Sequence, residues 1–340
     1  MKRINIEKLP ELYAKIAQDF SLYLPVEKEN CVDFAQYAPD ANVRLDALKT
    51  SKSPKDLFFP QCENLYSCQS AKGKITIEPN CPSTDKFVIF GMKNCDFKAV
   101  EILDKVFLSD PIDTYYKARR ENGVIVTLAC NAPSESCFCK AYGIDCAEGM
   151  GDISAWLCEG YLYWRCNTEK GEVLCEITDS LFEDCDENAI EELKQNIRNI
   201  VDKLPLMQLT LDGFGKGKTE EIFNSPLWEE LYKPCLACGT CTFVCPTCQC
   251  YDIKDYNTGN GVLRYRCWDS CMYSDFTMMA HGNNRTSQMQ RFRQRFMHKL
   301  VYFPDNNDGM FSCTGCGRCI EKCPSSLNIA KVIKAFQKEA

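Results

Sequence analysis

One cysteine spacing occurs twice in this chain, as Cys235-x2-Cys238-x2-Cys241-x3-Cys245-Pro246 and as Cys313-x2-Cys316-x2-Cys319-x3-Cys323-Pro324. A single tight loop with that spacing can bring three thiolates to the corners of a [4Fe–4S] cube, while the fourth, pre-proline Cys ligates the other cube. Crossed ligation is therefore expected. Cys235, Cys238, Cys241 and Cys323 would hold one cluster, and Cys313, Cys316, Cys319 and Cys245 the second. Gly239 and Gly317 fall at matching places in the two runs, where low bulk lets the loop wrap a cube. The plainer alternative is four-thiolate zinc, but zinc ribbons pair two C-x2-C knuckles and require neither the third Cys nor the Cys-Pro.

Composition sets the context for these ligands. Twenty-five Cys in 340 residues imply either a disulfide framework or metal sites. The N-terminus has scattered charges and no signal-peptide core, and no run approaches 18 apolar residues, so a cytoplasmic protein without membrane insertion is expected. Thiols stay reduced in that compartment, which favours metal, and the odd Cys count argues against complete pairing. A net charge of −7 speaks against nucleic acid as a partner.

The expected fold class is α+β, with an N-terminal α/β domain followed by an α-helical two-cluster domain. Over residues 1–210, Phe87–Phe90 and Val124–Leu128 read as buried strands, and Tyr161–Arg165 with Glu172–Ile177 reads as a hairpin around a Gly-containing turn. Helical periodicity runs through Ala99, Ile102, Leu103 and Val106, and again from Ile190 to Leu204 before Pro205. Residues 211–226 read as a Gly-rich linker. Its Gly217-Lys218-Thr219 resembles the end of a phosphate-binding loop, but only three residues separate Gly213 from Gly217 where that motif needs four. Residues 227–340 would form the helical 2[4Fe–4S] ferredoxin domain. Helical patterns at 288–301 and at Ile329, Val332, Ile333 and Phe336 predict that helices, rather than β-hairpins, frame the clusters.

Several further residues carry open readings. Cys248 and Cys250 directly after the first run, with Cys271, form one candidate set for a third [4Fe–4S] cluster. Cys95, Cys130, Cys137 and Cys139, near strand ends in the N-terminal domain and including a C-x-C pair, form another. Burial as small apolar thiols is the alternative for both. Cys146 and the other scattered Cys lack ligand spacing and are assigned to that plain role. The basic stretch Arg291 to Lys299 carries Met289, Phe292, Phe296 and Leu300 at helical spacing, so an amphipathic helix with a solvated basic face is expected, a docking surface being the alternative. Neither His281 nor His298 lies beside a nucleophile or metal pair, so no catalytic residues are expected.

CLACGTCTFVCPTCQCYD, RYRCWDSCMYSDF, the MHKL helix and CTGCGRCIEKCP resemble the family of iron–sulfur subunits found in anaerobic sulfite reductases and, as the beta subunit, in sulfhydrogenases. Upstream, LFFPQCENLY, FGMKNCDFKAVEILDKVF, DPIDTYYKARREN and LACNAPSESCFCKAYG continue the resemblance from about Leu57 to the C-terminus. It implies a relay protein beside a flavin- and NAD(P)H-binding iron–sulfur subunit, passing electrons to or from a catalytic oxidoreductase subunit. GMKNCD departs from the family by lacking an Arg before the Cys, and Cys267 is extra. The reading from another class is a stand-alone redox enzyme whose N-terminal domain binds a flavin or small substrate near Cys137 and Cys139.

Overall fold

The computed structural model describes residues 1–71 and 73–338. Its largest feature is an eight-stranded mixed sheet built from β1 (Lys2–Asn5), β2 (Ser21–Lys28), β3 (Cys31–Gln36), β6 (Phe87–Met92), β7 (Gly123–Leu128), β8 (Ile153–Cys158), β9 (Tyr161–Cys166) and β10 (Glu183–Asp184). The order is β10-β1-β9-β8-β7-β6-β2-β3. The four central strands β2, β6, β7 and β8 run parallel, and the flanking pairings are antiparallel. Both apolar runs read as strands are found there. Every residue of β6 and β7 is buried, because helices cover both faces of a parallel sheet. The helix Asn94–Phe107 connects them and buries Ala99, Ile102 and Leu103, as its periodicity requires.

One reading is corrected. Tyr161–Arg165 does lie in a hairpin strand, but its partner is β8, through a turn at Glu159-Gly160. Glu172–Ile177 lies in a helix, Glu169–Thr178. The Thr168 hydroxyl accepts from the Gly171 amide and caps that helix, and two Glu in its first turn suit the positive end of the helix dipole.

A second sheet, in the order β11-β12-β4-β5, joins distant parts of the chain. The hairpin of β4 (Cys62–Ala71) and β5 (Lys74–Pro79) pairs antiparallel with the hairpin of β11 (Tyr251–Asn257) and β12 (Gly261–Trp268), which lies between the two cysteine runs. At its base Arg266 is buried and pairs with Glu63 and Asp113. The far end projects, leaving Ile75, Ile77, Ile253 and Tyr256 exposed.

Helices frame the C-terminal region as expected. Gln288–Met297 opens with a capping box at Ser287 and Gln290, continues as a π-helical turn over His298–Tyr302, and packs with Ile329–Gln337 around Trp228. The Gly-rich segment before them is tied down. The Gly215 amide donates to the Leu300 carbonyl, which cannot receive an amide from Pro304 one turn on. Gly217 N and Thr219 Oγ1 both donate to the Asp305 carboxylate, each at 2.6 Å. A side chain of the protein thus takes the donors that a phosphate would need.

Candidate iron–sulfur centres

The two cysteine runs fold into the same local shape. Each loop turns at a glycine in the left-handed region, Gly239 at φ +73° and Gly317 at φ +79°, and then enters a one-turn helix. Loop amides point at sulfur, with Ala237 N donating to Cys235 Sγ at 3.4 Å and Gly315 N to Cys313 Sγ at 3.5 Å. The Thr240 hydroxyl 3.4 Å from the Cys238 sulfur, with the loop backbone, lowers that thiol's pKa. Such donors favour the thiolate that ligates metal.

Three cavities carry most of the candidate ligands. The first, with about 440 Å³ of empty space, is lined by Cys235, Cys238, Cys241 and, from the other run, Cys323. The second, about 330 Å³, is lined by Cys313, Cys316, Cys319 and the remote Cys245. The third, about 400 Å³, lies in the N-terminal half and is lined by Cys95, Cys130, Cys137, Cys139 and Cys146. Cys316 also reaches its wall. Cys95 follows the end of β6 and Cys130 the end of β7, so this site sits at the carboxyl ends of parallel strands, where α/β sheets usually bind ligands.

The cavities are contiguous. Arg295 lines both the first and the second, and Cys316 both the second and the third. Between the second and third the chain packs backbone on backbone. Phe138 N donates to Gly315 O at 2.9 Å, and a Cβ on Gly315 would fall 2.4 Å from Phe138 O. Arg318, fully buried, forks onto Asp96 at 2.6 and 2.7 Å and donates to Thr50 O at 2.9 Å. Lys49 donates to Ser136 Oγ and Cys316 O and pairs with Glu321 at 2.6 Å.

The remaining candidates lie elsewhere. Cys248, Cys250 and Cys271 are gathered around Lys299, Cys248 beside Cys245 and Cys250 beside Cys271, and none is brought to the third cavity. Cys146, read as a plain buried thiol, lines that cavity in hydrogen-bond contact with Cys139. No spacing rule could find it, because Cys139 and Cys146 meet only through the turn that closes on Gly143.

The basic helix is a second correction. Arg295 and Lys299 do not face solvent; they are 4% and 3% exposed and point among the cysteines. Burial alone would push the Lys299 ammonium down, but the nearby Cys245, Cys248 and Cys313 thiols outweigh it and hold it up. Burial raises the Cys316, Cys319 and Cys130 thiols to about 12. Neutral thiols are what a low-dielectric site favours, and a bound cation would reverse that preference.

Cubes suit these sites better than single ions. Among the described residues, no three Cys, His, Asp or Glu gather closely enough to hold one metal ion. Each cavity instead has at least four thiols in its wall, the number that the corners of a cube require. Buried polar atoms without a hydrogen-bond partner also border the spaces: Arg295 Nε in the first two, Thr314 Oγ1 in the second and Asn94 Oδ1 in the third.

Residues 234–327 match the family described as a 4Fe-4S dicluster domain. Fold and site thus define an iron–sulfur electron-transfer protein with a mixed α/β architecture and a C-terminal dicluster domain. The chain is 32% identical over 335 residues to the sulfhydrogenase 2 subunit beta of Pyrococcus furiosus, an alignment covering 97% of this chain and 96% of the relative. It belongs to the sulfhydrogenase beta subunit family. None of its helices, among the described residues, is long and apolar enough to cross a membrane.

Proposed function

We propose that this chain is the relay component of a cytoplasmic, anaerobic oxidoreductase complex. It would carry electrons between a flavin- and NAD(P)H-binding partner and a catalytic partner of sulfite reductase or hydrogenase type. The observation that carries this reading is the unbroken row of three thiol-lined cavities, in which each neighbouring pair shares a wall residue. A [4Fe–4S] cube bound in each would accept and release one electron at a time. The protein's part is to hold the thiolates, keep water out and supply counter-charge.

Two cubes belong to the dicluster unit, residues 227–340, through the eight Cys of its crossed sets. The third is proposed for the N-terminal unit, residues 1–210, with four ligands drawn from Cys95, Cys130, Cys137, Cys139 and Cys146. Residues 211–226 would join the units. The segment around Cys137 and Cys139 packs against Gly315 of the dicluster loop, which supports a relay over a substrate-binding loop. The name of the Pyrococcus relative, a beta subunit, supports an assembly with partners.

Anaerobic purification of the chain, followed by iron and sulfide analysis and a reductive titration, tests the reading. About twelve irons per chain are expected, in one-electron centres. About two irons or fewer after reconstitution would sink it, and so would bound flavin with turnover by the chain alone.

A further inference from the structure

Six Lys and Arg side chains are buried among the described residues: Lys55, Lys194, Arg266, Arg295, Lys299 and Arg318. Three have carboxylates in reach. Lys194 pairs with Glu148 and Glu191, Arg266 with Glu63 and Asp113, and Arg318 with Asp96. The other three make no salt bridge among the described residues, and all three lie at cysteines. Lys55 Nζ donates to Cys245 O at 3.1 Å and Cys248 O at 2.8 Å. Arg295 donates to Cys241 O at 3.3 Å, and Lys299 Nζ to Thr247 Oγ1 at 2.7 Å and Ser312 O at 3.0 Å.

A buried cation without an anion is strongly disfavoured, and carbonyls and a hydroxyl do not cancel its charge. The anion is therefore expected to come with the ligand. A cube held by four thiolates carries net negative charge, and each added electron makes it more negative.

Resting on the cluster reading above, we propose that Arg295 and Lys299 are internal counter-ions that make the centres they line easier to reduce. Arg295 serves the first and second centres together, and Lys299 serves the second alone. The assignment follows from position: Arg295 lines both cavities, whereas Lys299 lines only the second. The second centre, between the other two, thus has both of these cations in its wall. Removing either cation should make the second centre harder to reduce, and removing Arg295 should do the same to the first. Lys299 lies on the π-helical turn His298–Tyr302, a departure from α-geometry common at functional sites. The Lys299 carbonyl accepts from Ser312 N, so the turn is fixed to the loop bearing Cys313.

The test is a potentiometric titration of the full chain followed by electron paramagnetic resonance, after iron analysis of each sample. Lys299→Met should make reduction of one centre at least tenfold less favourable, 59 mV for one electron, and leave the others in place. Arg295→Gln should move two centres in the same direction. Arg295→Lys and Lys299→Arg, which keep the charge, should retain iron and stay near the wild-type midpoints. Lys194→Met, at a paired cation away from the cavities, should move none.

Unmoved midpoints in fully loaded neutral variants would overturn the proposal, as would Arg295→Gln moving a single centre. Loss of iron from the charge-conserving variants as well as the neutral ones would also overturn it, because packing rather than charge would then be at work. Loss from the neutral variants alone supports it. A wild-type chain without clusters defeats the underlying cluster reading instead, so the two failures are distinguishable.

Discussion

The first two cavities and the third are built from the same side chain in opposite ways. Each dicluster cavity takes three thiols from one seven-residue stretch and a single thiol from afar. The third gathers its five from β-strand ends and loops spread between Cys95 and Cys146. In the first design local loop geometry places the ligands, and the remote Cys only closes the site. In the second the sheet places them, so the site exists only if the α/β core and its seam with the dicluster loop are intact. The third centre should therefore be more sensitive to changes away from its ligands.

The largest effect is expected where the seam is held. Asp96→Asn leaves the fully buried Arg318 guanidinium without a counter-charge, which should cost about 3–5 kcal/mol of stability in denaturant unfolding. The third centre should be lost before the other two as denaturant rises. Simultaneous loss of all three would erase the contrast between the designs.

Next in size is Cys139→Ser, expected to remove about four irons while leaving the spectra of the two dicluster centres. Retention of all the iron would return Cys139 to the structural thiols. A finer contrast concerns redundancy. The third cavity offers five thiols to the four corners of a cube, so single Ser substitutions at Cys95, Cys130, Cys137, Cys139 and Cys146 should find one position that keeps full iron. The eight dicluster Cys should include none. The smallest effect is expected on the projecting sheet. Arg264→Ala breaks an exposed pair with Asp255 and should leave the unfolding midpoint close to the wild-type value, with iron content unchanged.

The contrast also explains what can be read in advance. The runs at Cys235 and Cys313 are legible because a local spacing carries the chemistry, and β6 and β7 because full burial leaves an unbroken apolar run. Cys146 is hidden, since its meeting with Cys139 depends on tertiary placement. The pairing of β4 with β12 links segments nearly two hundred residues apart, and no local pattern encodes it. Glu172–Ile177 misleads because its β-branched and apolar residues outweigh the Thr168 cap. Arg295 and Lys299 sit on the same helical stripe as Phe292 and Phe296, a sign that they face inward. Charge on an amphipathic helix is ordinarily taken to face water, and here the thiols that draw it in come from elsewhere in the chain.

The most direct test of the row of centres is the iron and acid-labile sulfide content of the anaerobically purified wild-type chain, measured beside Cys139→Ser and Cys241→Ser. About twelve irons for the wild type and about eight for each variant are expected, with a different centre missing from each. Eight irons in the wild type, unchanged in Cys139→Ser, would contradict the account by leaving the N-terminal cavity without a cluster.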